Sequence, residues 1–407
     1  MPARAIGLLS TSNAKPPRDA RSVWVKSLKE NIHSHKHALE SRRRTRMSCR
    51  VVHVGTGLTG AQALRAVIDD PALDLVGLLV HTPNKAGLDA GEICGMTDTG
   101  VIATSDRDEV MALEPDCVLY CSTAIHREDA VLTDICGFLE SGIDVVTIST
   151  IPMVYPAAAP VPWRTTIEKA CAAGASTFYA TGAEPGFISL NIPTALLSGC
   201  GAVRSFRLDE YALDLDRTYP IWDVLHESMG FGKPDGHVPA RIASGKVEQD
   251  WQTVVRYLAG ILGVTLDRVE LAWETLLAPG DLVTECGVIA SGTICAHRWK
   301  LSGVVAERDV IGVQYFATVS STPWPAHWPR PVQAGRGGMV FRVDGDPEVE
   351  LAVHFGEPGV GQVNPGVVAT ACAAVNAIPA VVASPPGVVD IPLSGPTAVS
   401  RRARAVW

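Results

Sequence analysis

Gly55, Gly57 and Gly60, in the stretch RVVHVGTGLTG, have the spacing G-x-G-x-x-G and directly follow Val51, Val52 and Val54. That spacing suits a diphosphate. The first glycine turns the chain out of a buried strand, the second admits a pyrophosphate where a Cβ would block it, and the third lets the next helix pack on the sheet. Leu58 and Thr59 then open a helix whose unpaired N–H groups and dipole favour negative charge. A plain tight turn without a ligand is the competing reading. Two other residues have the chemistry to move protons: Glu184 in TGAEPGF, just past the end of a predicted strand, and Tyr155 in a neighbouring loop. A carboxyl near apolar Met153 and Phe187 has a raised pKa and can serve as an acid, and a tyrosine can donate to a carbonyl oxygen. A solvated carboxylate and a packing aromatic are the bland alternatives.

Further positions suit a nucleotide. The second strand ends at Val80, His81 and Thr82 with Lys85 close behind, and none of these is an acid. An acid there would accept hydrogen bonds from a ribose 2′-hydroxyl and repel a 2′-phosphate, whereas Thr82 and Lys85 can bind the phosphate. NADPH is therefore expected, with NADH as the second choice. Ser122, Thr123 and Ala124 end the strand expected beneath the nicotinamide, where they either bond the cofactor or cap the next helix at His126 and Glu128. Thr150, Met153, Phe187, Met229 and Phe231 are expected to line a substrate pocket, with Gly230 and Gly232 loosening a loop that closes over it.

The elements that must position these residues alternate. After the glycine turn, Ala61, Leu64, Val67 and Ile68 share a helical face, Pro71 ends the run, and Leu75 to Val80 reads as a buried strand. Cys117–Ser122, Val145–Ser149 and Ser176–Ala180 are further strands with helical faces between them, ending at Gly142 and Gly174. Such alternation predicts an α/β fold with a doubly wound parallel sheet over residues 49–185, ligands lying beyond the carboxyl ends of its strands. Over 186–360 the pattern changes to β-branched stretches (Arg204–Asp214, Arg268–Leu277, Val283–Lys300, Val310–Val319, Gly338–Phe355) with a helix over Val247–Leu262, which predicts a second α+β domain with a mostly antiparallel sheet. Thr322–Pro331 reads as a rigid loop, and Gly335, Gly337 and Gly338 as a hairpin turn. Within 361–392, Val367–Val382 reads as a helix returning to the first domain.

Composition excludes several classes. The 407-residue chain is 47% hydrophobic with net charge −8, which gives no reason to expect nucleic acid as a partner. No apolar stretch is expected to span a bilayer, since Ala371–Ala383 carries Asn376 and Pro379. The ten cysteines show no C-x-x-C pair and read as reduced thiols of a cytoplasmic protein; Cys117 and Cys121 share a strand and are too far apart to pair. No metal site is expected. Residues 1–48 are polar, with His33, His35, His37 and Arg42–Arg44, and read as a disordered tail; residues 393–407 read as a tail, and Met47 as a natural start of translation. G-x-S-x-G, H-E-x-x-H and Walker patterns are absent.

GTGLTG, LLVHTPNKAGLDAGEICG, VVTISTIPMVYP, YATGAEPGF, SMGFGKP and VNAIPAVVASPPG, in that order over Arg50–Asp390, resemble the dihydrodipicolinate-reductase-like family of actinobacteria, akin to 2,4-diaminopentanoate dehydrogenase and the native amine dehydrogenases. The resemblance implies a nicotinamide-dependent oxidoreductase with a Rossmann domain, a homodimer formed through a β-rich domain, and a small carbonyl or imine substrate. The chain also departs from the family. Where the amine dehydrogenase branch reads S-T-C-E-E-L-x-Y-P, Ser149–Pro156 reads STIPMVYP without an acid, and the reductases' His-His and Lys segment is missing. Carbonyl or imine reduction is therefore expected first. A catalytically silent nucleotide sensor or assembly protein is the alternative, followed by amine dehydrogenation or 4-hydroxy-tetrahydrodipicolinate reduction.

Overall fold

Strands that are apolar on both faces are stable only where helices cover both sides of a parallel sheet. The computed structural model describes residues 48–124, 127–333, 336–356 and 363–390. In it β1 (Cys49–Val54), β2 (Leu73–Leu79), β3 (Ala103–Thr104), β4 (Cys117–Tyr120), β5 (Asp144–Thr147) and β6 (Thr177–Ala180) form such a sheet, all parallel, in the order β3-β2-β1-β4-β5-β6. This is the Rossmann order, with its switch point between β1 and β4. Helices α1 (Leu58–Asp69), α2 (Glu128–Glu140) and α3 (Val161–Gly174) connect strands as the sequence predicts. The expectations for residues 1–47, His126, Gly335 and the tail from residue 393 lie outside the described residues.

The second half supplies β7 (Ala202–Ala212), helix α4 (Lys246–Leu262) and β8 (Arg268–Leu277), a hairpin of β9 (Leu282–Thr284) with β10 (Gly287–Ile289), then β11 (Ile294–Val305), β12 (Arg308–Thr318), β13 (Gly338–Asp346) and β14 (Val349–Val353). The single predicted stretch Val283–Lys300 is thus broken, because Gly287 and Gly292 adopt positive φ and turn the chain. Six of these strands form one sheet in the order β14-β13-β7-β12-β11-β8, antiparallel except for β7 beside β12. Its inner face, with Phe206, Leu208, Val313, Leu301 and Phe341, belongs to the same buried core as Val52, Val118, Val145 and Phe178 of the parallel sheet.

Helix α5 (Pro365–Ala383) crosses back to the parallel sheet, and β15 (Gly387–Val388) extends that sheet beside β6. By length and composition α5 is apolar enough to cross a membrane, which corrects the expectation that no segment would be. Its apolarity has another use here. Ala371, Ala374, Val375 and Ile378 pack on Ala63 and Val67 of α1 and on Val51, Leu119 and Val146 of the strands, which buries one face of the helix. All ten cysteines are free thiols.

Candidate active site

The three glycines meet three different constraints. Gly55 has φ +90°, and a Cβ there would lie 2.6 Å from the Ser122 backbone N. A Cβ on Gly60 would lie 2.2 Å from the Gly55 carbonyl oxygen, so this glycine sets how closely α1 approaches the turn. A Cβ on Gly57 meets nothing within 4 Å. Packing within the chain therefore requires Gly55 and Gly60 but not Gly57, and the open space beside Gly57 faces the first turn of α1, which has no side-chain cap. Unpaired N–H groups at a helix start, with a cradle that a side chain would fill, fit a pyrophosphate. From beneath, the fully buried His53 places Nε2 2.8 Å from the Gly55 carbonyl oxygen, and burial lowers its pKa to about 4, so it donates there as a neutral ring.

Cations border this turn. Lys85 reaches back from the end of β2 and donates to the carbonyl oxygen and to Oγ1 of Thr56, at 2.8 and 3.0 Å. Arg127 donates to Ser122 Oγ at 3.4 Å, and its charge, after desolvation, helps hold His81 below its usual range. Sequence reasoning missed Arg127. The ends of β4 and β5 are tied together where Thr147 Oγ1 donates to the Tyr120 carbonyl at 2.9 Å and Ser149 Oγ to the Ser122 carbonyl at 2.6 Å. Beside them the Thr150 hydroxyl is buried and unpartnered.

Beyond β6 the chain bends sharply. Glu184 is extended (φ −145°, ψ 108°) ahead of Pro185, and Gly186 has φ +142°. Both oxygens of the Glu184 carboxyl are buried without a hydrogen-bond partner among the described residues. Burial, and after it the charge of Glu210, push its pKa well above the carboxylate range; Ser189 opposes this only weakly. Glu210 comes from β7 of the second sheet, and burial lifts it to about 7 against the pull of Arg241. Register places Glu210 opposite Tyr315 of β12, and Tyr315 opposite Trp299 of β11. His297, two residues before Trp299, lies on the same face, fully buried, with neither ring nitrogen bonded. The Arg241 guanidinium lies 5.7 Å from the centre of the Tyr315 ring. These residues put a row of polar groups across an otherwise apolar sheet face. Unpartnered buried polar atoms are costly, and their clustering makes this face a candidate site for a ligand.

Other predicted residues fall in different places. Phe231 packs on His297 with ring centres 5.6 Å apart, and Met229 is buried beside it in the same core. Their loop is pinned, since Gly232 N donates to the Ile294 carbonyl and Ile294 N to that of Lys233; it is not a free flap. Met153 is fully buried, whereas Phe187 is 44% exposed. Tyr155 packs edge-on against Tyr257 of α4 at 5.3 Å, and its hydroxyl lies over Gly260, where a Cβ would be 2.8 Å away. The structure thus seats the Tyr155 hydroxyl against a helix. Leu58 and Thr82 are exposed, Thr59 and Ala124 partly so, and Thr123 borders the same opening.

Residues 240–406 match the model of the 2,4-diaminopentanoate dehydrogenase C-terminal domain. The chain is 30% identical over 349 residues to an amine dehydrogenase of Streptomyces virginiae, a span covering 83% of this chain and 95% of that one. An amine dehydrogenase from Mycobacterium smegmatis has a similar structure, with TM-score 0.64 and 20% identity over 84% of this chain and 94% of that one. A probable dehydrogenase from Thermotoga maritima superposes with TM-score 0.51 at 12% identity, over 84% and 91% of the two chains, which extends the likeness of fold.

Proposed function

This chain belongs to the family of the amine dehydrogenases and 2,4-diaminopentanoate dehydrogenase and is an NAD(P)-dependent oxidoreductase, and from that premise we propose that it uses NADPH to reduce a small carbonyl or imine, with Glu184 as proton donor. The observation that carries the reading is the Glu184 carboxyl: both oxygens buried and unpartnered at the carboxyl end of β6, in the sheet whose β1 ends in the glycine turn, with burial and the charge of Glu210 pushing its pKa upward. When bound, the reduced nicotinamide supplies a hydride to the substrate carbon. The chain supplies the rest. The N–H groups at the start of α1 bind the diphosphate, and Thr150 and Ser122 line the strand ends where the ring would lie. The buried core on the far side excludes water, and Glu184 gives its proton to the oxygen or nitrogen that the reduction leaves basic.

Replacing Glu184 by Gln keeps the shape and removes the proton. We expect Glu184→Gln to lower the turnover number at least tenfold while the NADPH dissociation constant moves less than twofold. An unchanged turnover number would remove Glu184 from the chemistry. Cofactor choice rests on Lys85, whose ammonium lies between β2 and the glycine turn, bonded to Thr56, and would bind a 2′-phosphate there. Lys85→Ala should weaken NADPH at least tenfold and NADH less than threefold in fluorescence titrations. Equal loss of both would mean that Lys85 braces the turn and does not select the cofactor.

A further inference from the structure

The charges around Glu184 carry a statement about the substrate that membership of the family does not make. Sheet register sets Glu210 of β7 opposite Tyr315 of β12, and Tyr315 opposite Trp299 of β11, with His297 two residues before it on the same face. The Arg241 guanidinium, on the short helix Ala240–Ala243, lies 5.7 Å from the Tyr315 ring centre, and Glu184, in the loop after β6, lies within the field of Glu210. The next charged groups are Asp250 and Lys246, both on α4 and 3.5 Å apart; Asp250 also feels the charge of Arg241, but as a pair with Lys246 it adds no net charge. What remains is two buried carboxyl groups facing one guanidinium. Two carboxylates within each other's field, away from water, keep one proton between them, because ionising both would place like charges side by side in a weakly screening medium. One proton, one carboxylate and one guanidinium sum to zero.

We propose that Glu210 and Arg241 set the substrate class of this enzyme: together with Glu184 they form a charge-balanced, proton-donating site that accepts an uncharged ketone or aldehyde and disfavours the ammonium and iminium ions of amine chemistry. The proposal rests on Glu184 as the acid. Its first support is the direction of hydrogen bonding. The O–H of the protonated carboxyl can be used only by a partner with a lone pair, which a carbonyl oxygen has and an ammonium or iminium nitrogen lacks; such a cation could bond only the acceptor oxygens of the pair and would leave that O–H unused. The second is the placement of Arg241. A cation bound at Glu184 and Glu210 would share its low-dielectric surroundings with a guanidinium that already opposes it. The third is His297, which burial and the nearby Arg241 keep neutral, its pKa lowered to about 3. Its two unpartnered nitrogens provide one donor and one acceptor and no charge. Ser149–Pro156, which carries no acid, is consistent with the same assignment.

The reduction balances simply. The hydride from the reduced nicotinamide forms the C–H bond with both electrons, the C=O π bond breaks toward oxygen, and the Glu184 proton forms the O–H of the alcohol. Glu184 is left as a carboxylate, and a proton from solvent restores the pair to its starting charge.

The test compares wild type, Arg241→Gln and the double variant Glu210→Gln/Arg241→Gln. Each is checked for folding by circular dichroism and for NADPH affinity by fluorescence. Binding of cyclohexanone and of cyclohexylammonium in the presence of NADP⁺ is followed by calorimetry, and NADPH oxidation by a ketone and aldehyde panel is measured with and without ammonia. We expect wild type to bind the ketone at least tenfold more tightly than the ammonium and to gain less than twofold from ammonia. Arg241→Gln, which leaves the two carboxyls unanswered, should bind the ammonium at least tenfold more tightly than wild type does. The double variant removes one charge of each sign and should return to the wild-type preference. Turnover by wild type that requires ammonia, or tighter binding of the ammonium by wild type, overturns the assignment while leaving Glu184 as the acid. An Arg241→Gln variant that folds, binds NADPH and keeps the wild-type preference also overturns it. Should Arg241→Gln fail to fold, the wild-type and double-variant measurements decide the matter. Absence of NADPH binding in wild type would defeat the functional reading itself.

Discussion

At the scale of single residues, the glycine turn separates what a fold needs from what a ligand needs. A methyl group on Gly60 must push the Gly55 carbonyl away from 2.2 Å, while one on Gly57 enters open space. Gly60→Ala should therefore cost about 1 to 3 kcal/mol in urea unfolding, the usual range for overpacking. Gly57→Ala should change stability by less than about 1 kcal/mol, since its φ of −69° is open to any residue. Its NADPH affinity should nevertheless fall at least tenfold. Equal stability loss in both variants would mean that Gly57 is a packing glycine and that the open cradle has no bearing on binding. These three positions were legible because their reasons lie within a few residues of each other. Glu210, Arg241 and His297 were not. Each is an ordinary residue in its own segment, and only sheet register, which sets Glu210 opposite Tyr315 across 105 residues of chain, brings them to one place.

At the scale of elements, periodicity located most strands and the helices α1 to α5, because apolar runs and helical faces are local properties. It overlooked β3 and β15, which are two residues each and carry no period to detect. It also could not say which way a loop side chain points, as Tyr155 shows. From the sequence its hydroxyl is a candidate donor; in the fold the ring meets Tyr257 and the hydroxyl fills the space above Gly260 on α4. The contact joins the loop after β5 to a helix of the second half. Tyr155→Phe should accordingly leave turnover within twofold of wild type. Gly260→Ala should lower thermal stability, by about 1 to 3 kcal/mol, because its methyl must displace that hydroxyl. A tenfold loss of turnover in Tyr155→Phe with the proton still on Glu184 would return the tyrosine to the chemistry.

At the scale of the whole molecule, the groups that complete the site also shape its response to pH, and their signs differ. His53 and His297 are buried and neutral, with pKa values near 4 and 3, while an unfolded chain titrates its histidines near 6.5. A depressed base takes up its proton only on unfolding, so this stability is present above pH 6.5 and lost on acidification toward 4. Glu210 behaves in the opposite sense. With its folded pKa raised to about 7 from 4.5, the stability it contributes is complete below pH 4.5 and lost as pH rises through 7. Between pH 4.5 and 6.5 the two trends oppose each other and flatten the profile. Glu210→Gln removes the Glu210 share of the second and relieves Glu184, whose pKa that charge helps to raise. At pH 8 the variant should be more stable than wild type, and near pH 4.5 the two should agree. Urea midpoints at pH 4.5, 6.5 and 8 test this directly. A difference that stays constant across the three would show that Glu210 is not titrating in the fold. A difference that grows with pH would mean that the carboxyl pair is kept at the expense of stability, as functional groups in a buried site commonly are.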